Sequence, residues 1–193
     1  MAPQPWAAAV PQSVRVGVTV TFLRMDARPP PGPDLPADCT LVQLASCSVA
    51  FYRYLYDTVG NDHVWWLRRS LSPAALAAIL AEDTVSVHVL YQGGEPAGFF
   101  ELDRRARPVV NLSYFGLLPR SIGQGVGSAF LAAAIRAAWT PGTRSLTVNT
   151  CTADHPRALP GYQRAGFQVV RRVNEVWDVP IQLGLRIPPR LMV

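Results

Sequence analysis

Alternating apolar and polar residues, the two-residue period of β-strands, recur along this 193-residue chain. The longest such stretch, V-R-V-G-V-T-V-T-F-L within residues 14–25, predicts a first strand. A hairpin is predicted where two apolar runs flank Q-G-G-E at 92–95. Similar patterns predict strands at 39–44, 84–91, 96–103, from 109 onward and at 145–150, and a closing antiparallel pair at 168–172 and 175–179.

Helical spacing of apolar residues predicts three helices between these strands. One covers 48–59 and is rich in aromatic residues, and another begins at the capping residue Ser72, with Pro73 at its first helical position. The third covers 128–139, where one face carries Phe130, Leu131, Ala134, Ile135, Ala138 and Trp139. Residues 28–36, R-P-P-P-G-P-D-L-P, can form neither a helix nor an inner strand and therefore predict a stiff connector.

A loop with three alternating glycines joins the strand that begins at Val109 to the third helix. Gly123, Gly125 and Gly127 lack a Cβ, so backbone N–H groups there can turn toward an anion and approach it closely. The loop also brings these groups to the positive N-terminal end of a helix. This order of elements predicts a pocket for a pyrophosphate.

Two common nucleotide-binding loops do not match this pattern. A Walker loop requires G-x-x-x-x-G-K-[ST], and all 18 basic residues of this chain are arginines, which also excludes lysine Schiff-base chemistry. A dinucleotide-binding fold requires G-x-G-x-x-G after an early first strand, with an acidic residue about 20 positions later. This loop reads G-x-G-x-G past mid-chain, and Arg144 and Ser145 lie at the position of the acidic residue.

Two motifs, in order, resemble those of the GCN5-related N-acetyltransferases, the GNAT family. The segment L-L-P followed by I-G-Q-G-V-G, within 117–127, is similar to the family's acyl-CoA pyrophosphate motif, [QR]-x-x-G-x-[GA]. About thirty residues later, H-P-R-A-L-P-G-Y-Q-R-A-G-F at 155–167 is similar to the family's N-x-x-A-x-x-x-Y-x-x-x-G-F segment. The resemblance covers roughly two-thirds of the chain.

The resemblance implies an α/β (α+β) fold, with a mixed, mostly antiparallel central sheet and helices on both faces. It implies one acyl-CoA N-acyltransferase domain at 14–180, preceded by a flexible N-terminus at 1–13 and followed by a tail at 181–193. In that fold the fourth and fifth strands splay apart, and the pantetheine arm of acetyl-CoA enters the gap. The implied cofactor-binding residues are Leu117, Leu118, Ile122, Gly123, Gln124, Gly125, Val126, Gly127, Ser128 and His155.

Three residues depart from the family pattern. Ile122 stands at the usual [QR] position, which removes a side-chain contact but leaves the backbone amides of the loop. His155 stands for the usual Asn and either donates one hydrogen bond to a ligand or is a loop histidine before Pro156. Pro160 is expected to distort the helix that carries Tyr162, because proline removes a backbone hydrogen bond.

The resemblance implies that Tyr162 is the acid that protonates the leaving thiolate, and the alternative is a packed core tyrosine. The general base is less directly indicated, since Asn111 stands where many members of the family carry a strand glutamate. If the turn at 104–108 centres near Ala106, antiparallel pairing places Glu101 opposite Asn111. We therefore predict Glu101 as the base, directly or through a water held by Asn111; the alternative is an exposed strand carboxylate.

Aromatic residues are concentrated in the first helix and the loop after it. In the fold of the family, these two segments form the wall of the acceptor pocket. Tyr54, Trp65, Trp66 and Tyr114 are the predicted acceptor-binding residues, and ordinary core packing is the alternative. Such a wall suits an apolar or aromatic acceptor, or a cation above a ring face. Small amines, amino acids, antibiotics, peptide N-termini and protein lysines all remain open as acceptors.

Composition narrows the class of protein. The net charge is +5, but only 16% of residues are charged and the arginines are scattered, which fits attraction for anionic CoA better than nucleic-acid binding. Cys39, Cys47 and Cys151 form no metal or disulfide pattern, so no metal is expected and the thiols are expected to be reduced. The chain shows neither a signal peptide nor a membrane span, which predicts a soluble cytoplasmic protein.

The sequence thus predicts an acyl-CoA-dependent enzyme that transfers acetyl from acetyl-CoA to a primary amine by direct attack in a ternary complex. A catalytically silent acyl-CoA-binding module is the alternative, and Asn111, Ile122 and Pro160 favour it. A homodimer is possible through the N-terminal strand and the proline-rich tail.

Overall fold

The computed structural model describes residues 12–193. Its elements in chain order are β1 (Ser13–Met25), β2 (Cys39–Gln43), α1 (Val49–Gly60), α2 (Pro73–Leu80), β3 (Val85–Gln92), β4 (Glu95–Asp103), β5 (Val109–Leu117), α3 (Gly127–Ala138), β6 (Ser145–Cys151), α4 (Ala158–Arg164) and β7 (Gln168–Pro180). Short 3₁₀ turns follow at Asn61–His63, Pro119–Ser121, Ile181–Leu183 and Pro189–Leu191. The predicted flexible segment 1–13 lies outside the described residues except for Gln12 and Ser13, and Ser13 already belongs to β1.

Seven strands form one sheet in the order β2-β3-β4-β5-β6-β1-β7. Each neighbouring pair is antiparallel except β5 and β6, which run parallel. Helices cover both faces of this mixed, mostly antiparallel sheet, which confirms the predicted fold class. β1 lies inside the sheet because its residues 20–25 pair with β6 on one side and its residues 13–24 pair with β7 on the other.

The prediction of two closing strands at 168–172 and 175–179 is wrong. These residues form the single strand β7, which pairs with β1 from Ser13↔Pro180 to Arg24↔Gln168. A hairpin would have needed a tight turn at Val173 and Asn174, which offer no glycine or proline. The long edge of β1 instead pairs with the whole stretch as one strand, interrupted only by a bulge at Val170.

Two core clusters pack on opposite faces of the sheet. The side chains of Phe99 and Phe100 are fully buried and point to opposite faces, as the strand period requires. Phe100 packs with the apolar faces of α3 and α4, whereas Phe99 packs with those of α1 and α2. The serines predicted as caps do cap: Ser48 accepts from the N–H of Phe51 at the start of α1, and Ser72 accepts from that of Ala75 at the start of α2.

β5 and β6 remain paired over only four residues each, from Val109↔Ser145 to Leu112↔Val148. Beyond this point β5 carries a bulge, since Leu102 of β4 faces Leu112 while Glu101 faces Tyr114 and Ser113 is the extra residue. A bulge bends its strand and increases the local twist. The two strands therefore part after Leu112 and leave a gap in the middle of the sheet.

The proline-rich connector 28–36 has no regular structure and passes over α3. A Cβ built on Gly32 would lie 2.7 Å from the Cβ of Ala132, so the connector backbone approaches the helix closely. Asp34 and Arg136 lie 3.8 Å apart across the same contact. Within residues 12–193, no helix is both long and apolar enough to span a membrane.

Candidate active site

A cavity of about 1250 Å³ occupies the gap between β5 and β6. On one face of the sheet it is lined by the glycine loop and by α3 residues such as Leu131. On the other it is lined by Tyr56 of α1 and by Trp65 in the loop that follows. The cavity therefore gives access to the parted strands from both faces, as a two-substrate reaction requires.

The glycine loop presents free backbone N–H groups to this cavity. Gly123 and Gly125 have φ of +86° and +80°, a conformation that L-residues with a Cβ rarely adopt. No side chain caps α3, whose Ncap residue is Val126. The first N–H groups of a helix have no partner within it, so those that begin at Gly127 can bind an anion with the help of the helix dipole.

Not every predicted loop residue faces the cavity. Ile122, Gly123, Gly125, Gly127 and Ser128 line it. The side chain of Val126 is buried in the core, and that of Gln124 is exposed to solvent away from the cavity lining. The N–H of Gln124 donates to the carbonyl of Ser121 at 3.4 Å, so any contribution of these two residues to anion binding would be through the backbone N–H of Val126.

The free edge of β5 is formed by Phe115 and Leu117 rather than by Leu118. The N–H of Leu118 donates to the carbonyl of Ala97 at 2.8 Å, and its carbonyl accepts from the N–H of Ser121 at 2.9 Å. Both backbone groups of Leu118 are therefore used within the protein, and Leu118, although predicted to bind the cofactor, does not line the cavity. Because hydrogen-bonding direction alternates along an antiparallel strand, the N–H and C=O groups of Phe115 and Leu117 point away from β4 into the gap.

Tyr162 lines the cavity from α4. Its side chain is 6% exposed and packs edge-on against Phe115 and Phe167, with ring centroids at 6.3 and 5.8 Å. Burial, and secondarily the charge of Asp154, raises the pKa of Tyr162 well above the ordinary value of a phenol. The hydroxyl therefore keeps its proton at neutral pH and is available as a donor in the cavity.

Pro160 does not distort α4, contrary to the expectation from the sequence. It is the third residue of the helix, within the first turn, where a backbone N–H has no partner in the helix. The bonds around it are intact: the N–H of Gly161 donates to Arg157 at 2.9 Å, and that of Ala165 donates to Gly161 at 3.1 Å. The direction of the Tyr162 side chain is thus set by a regular helical turn.

The pairing predicted between Glu101 and Asn111 is wrong. Asn111 faces Asp103, and Glu101 faces Tyr114. The turn between β4 and β5 centres one residue later than Ala106, and the bulge at Ser113 shifts the register further. Glu101 and Asn111 therefore do not lie opposite each other as base and water holder.

Glu101 is fully buried and does not line the cavity. It accepts a hydrogen bond from the hydroxyl of Tyr52 at 2.5 Å and one from the guanidinium of Arg68 at 2.6 Å. Asn111 is also engaged elsewhere, since its amide donates to Ser113 and its oxygen accepts from Thr147 at 3.0 Å. Both side chains therefore make structural hydrogen bonds within the protein.

An aromatic cluster forms the wall of the cavity on the α1 face. The rings of Tyr56, Trp65 and Tyr114 lie with centroids 4.9 to 5.3 Å apart. Trp66 also lines the cavity, whereas Tyr54 is 49% exposed and does not. The helical period explains this difference between Tyr54 and Tyr56. Tyr56 lies on the buried face of α1, whereas Tyr54, two positions away, points to solvent.

Two residues that the sequence did not single out lie in the cavity beside this wall: Asp154 and His63. Asp154 accepts from the indole N–H of Trp65 at 3.2 Å, and the imidazole of His63 packs edge-on against that of His155 at 6.1 Å. Nδ1 of His155 accepts from the N–H of Arg157 at 3.1 Å. Because Nδ1 accepts this bond, Nε2 is the ring nitrogen that can donate a hydrogen bond to a ligand.

Cys151 lines the cavity at the end of β6. Burial, together with the negative charge of Asp154, raises the pKa of its thiol to about 12. Since the thiolate is the nucleophilic form, this environment does not favour a role as nucleophile. Among residues 12–193, no cluster of three or more His, Cys, Asp or Glu side chains has the arrangement of a metal site.

Comparison with known proteins identifies the family. The sequence profile of the Acetyltransferase (GNAT) family matches residues 49–167, which span α1 to the end of the α4 segment. The match thus covers the glycine loop, the parted strands and Tyr162, and it leaves β1, β2 and β7 outside. No curated protein matches the sequence.

Solved structures with the same fold are distant in sequence. A GCN5-related N-acetyltransferase from Sphaerobacter thermophilus is 18% identical, with a TM-score of 0.61 over 87% of this chain and 53% of that one. A tandem GNAT protein from the clavulanic acid biosynthesis pathway is 15% identical, with a TM-score of 0.55 over 86% of this chain and 55% of that one. This chain therefore spans just over half the length of these two proteins.

A shorter protein also shares the fold. An aminoglycoside acetyltransferase from an uncultured soil metagenomic sample is 15% identical, with a TM-score of 0.54 over 67% of this chain and 88% of that one.

Proposed function

Because this chain belongs to the Acetyltransferase (GNAT) family, we propose that it transfers an acetyl group from acetyl-CoA to a primary amine by direct attack in a ternary complex. The observation that carries the proposal is the cavity between β5 and β6, which joins an anion-binding loop, a free strand edge and a buried tyrosine hydroxyl. These are the three features that an acyl-CoA thioester needs from a protein.

The residues present fit acetyl-CoA as a co-substrate. The backbone N–H groups of Gly123 and of residues 125–128 would hold its pyrophosphate at the N-terminus of α3. The backbone groups of Phe115 and Leu117 would pair with the amides of its pantetheine arm, as a strand edge pairs with an extended chain. Arg28, Arg136, Arg157 and Arg164 also line the cavity and favour an anionic ligand.

The chemistry then requires one proton donor at the thioester sulfur. When the amine nitrogen bonds to the acetyl carbon, the carbon–sulfur bond breaks and the sulfur leaves with the electron pair. The hydroxyl of Tyr162 would donate its proton to that thiolate, and the proton that the nitrogen loses would restore the phenol by way of water. The raised pKa of Tyr162 keeps the hydroxyl protonated until the sulfur begins to leave.

Thermal unfolding with and without acetyl-CoA is the first test, followed by a thiol-release assay with a panel of primary amines. A ligand at about 100 times its dissociation constant should add about 2.7 kcal/mol of stability. Stabilisation together with amine-dependent release of CoA supports the proposal. Stabilisation without release from any amine would instead indicate a silent acyl-CoA-binding module, and the absence of stabilisation would overturn both.

A further inference from the structure

On the α1 face, the charged side chains that line the cavity indicate which charge the acceptor carries. Among residues 12–193, Asp154 is the only carboxylate that lines it. No described Arg or His pairs with this carboxylate: the ion pairs of the molecule involve other acids. The α1 face of the cavity therefore presents one negative charge that no basic side chain balances.

Asp154 is fixed in place with one acceptor site left over. Its Oδ2 accepts from the hydroxyl of Thr150 at 2.7 Å and from the N–H of Cys151 at 2.9 Å, and its Oδ1 accepts from the indole of Trp65 at 3.2 Å. A carboxylate has about four lone-pair sites, so Oδ1 retains one. A donor entering the cavity can complete the set, and a positively charged donor would also balance the charge.

The carboxylate is joined directly to the aromatic wall. The indole that donates to Asp154 belongs to Trp65, whose ring packs against those of Tyr56 and Tyr114. These rings contact one another, so they form one continuous surface rather than a cage around a cation. Such a surface suits an apolar body, with the carboxylate at its edge for a charged end.

Asp154 also lies near the proton donor of the reaction. Its charge contributes, after burial, to the raised pKa of Tyr162. A nitrogen held at Asp154 would therefore lie in the same cavity as the hydroxyl that protonates the thiolate.

From these observations we infer that the acceptor is a primary amine with a single positive charge and an apolar body, and that Asp154 anchors its ammonium group. This inference rests on the proposed acetyl transfer. A polycation is disfavoured because one carboxylate would face two or more ammonium groups, while four arginines line the rest of the cavity. Before attack, the anchored ammonium releases one proton to water and keeps its bond to Oδ1 through another N–H.

The test compares phenethylamine, which has one charge and an apolar body, with the polycation spermidine as acceptors for the wild-type protein. We expect kcat/KM for phenethylamine to be the higher by about tenfold or more, because the further ammonium groups of spermidine would face the arginines that line the cavity. Equal values, or a preference for spermidine, would overturn the inference whether or not any variant folds.

The matched variants are Asp154→Asn and Asp83→Asn, which remove the same charge inside the cavity and at an exposed site outside it. Asp154→Asn should lower kcat/KM for phenethylamine about tenfold or more, mainly through KM. Its KM for acetyl-CoA should stay unchanged, and Asp83→Asn should behave as wild type. If Asp154→Asn retains acetyl-CoA binding and wild-type KM for phenethylamine, Asp154 does not anchor the amine.

The two proposals fail in different ways. Absence of stabilisation by acetyl-CoA overturns acetyl transfer itself, and with it this inference. Acetyl transfer to spermidine but not to phenethylamine overturns only the inference, and acetyl-CoA binding with no transfer to any amine overturns both.

Discussion

Glu101→Gln should destabilise the protein strongly while leaving the chemistry of acetyl transfer nearly intact. The carboxylate is fully buried, with the Tyr52 hydroxyl at 2.5 Å and the Arg68 guanidinium at 2.6 Å. The side chain of Arg68 is itself only 12% exposed, so the substitution leaves a largely buried charge without its partner. Removing one partner of a buried ion pair costs about 3–5 kcal/mol.

The lower end of that range applies, because the amide oxygen of Gln still accepts from one of the two donors. A loss of about 3 kcal/mol would lower the melting temperature by about 6–12 °C in a protein of this length. Urea unfolding followed by circular dichroism at pH 7 measures the free energy. Glu95→Gln is the control on the same strand: its side chain is 72% exposed, and its ion pair with Arg120 should contribute less than about 1 kcal/mol.

Activity of the folded variant separates structure from catalysis. Glu101 does not line the cavity, so kcat at a temperature well below melting should stay within about threefold of wild type, far from the 10²–10⁴-fold effect of a general base. A loss of activity of that size in folded protein, with the acidic limb of the pH–rate profile flattened, would refute this reasoning and restore Glu101 as the base.

Three further predictions test the cavity and the core. Tyr162→Phe should lower kcat by about 10²–10⁴-fold but retain stabilisation by acetyl-CoA, and an unchanged kcat would show that the thiolate leaves without this acid. Gly125→Ala should cost about 1–2 kcal/mol of stability, because its φ is +80°, and it should weaken acetyl-CoA binding. The control Gly142→Ala, at φ +89° after α3, should cost stability without changing the Kd for acetyl-CoA. Equal Kd values for the two variants would contradict the role of the loop. Burial, and secondarily the charge of Arg104, lowers the pKa of His88 to about 4. In the unfolded chain the histidine has a pKa of about 6.5 and takes up a proton first, so the free energy of unfolding should fall by about 3 kcal/mol as the pH drops from 6.5 toward 4. Urea midpoints that fall equally in His88→Leu would contradict this.

The sequence predicted the elements well because their signals are local. Strand alternation at 14–25 and the caps at Ser48 and Ser72 depend only on neighbouring residues, and the observed boundaries agree within one or two positions. The glycine loop was also recognisable, since positive φ at Gly123 and Gly125 needs that residue type. These signals located the cavity and the end of it that the glycine loop forms.

The rest of the site depends on geometry that no local pattern contains. The bulge at Ser113 shifts the pairing of Glu101, and no residue type at that position announces it. Asp154 and Trp65 are 89 positions apart in the chain and meet only through the sheet. Tyr56 is the exception, because the helical period alone places it with Tyr52 on one face of α1 and Tyr54 on another.

The position of β1 has a consequence for synthesis of the protein. Its contacts are with residues far along the chain: the hydroxyl of Thr19 bonds to Asn174, 155 positions later. At about 5–20 residues per second, a ribosome needs on the order of ten seconds to supply that partner. During this time β1, an alternating apolar strand, has both edges unpaired, and unpaired strand edges promote aggregation. We therefore expect yield in cells to respond to chaperone supply more than the stability of the finished protein would suggest.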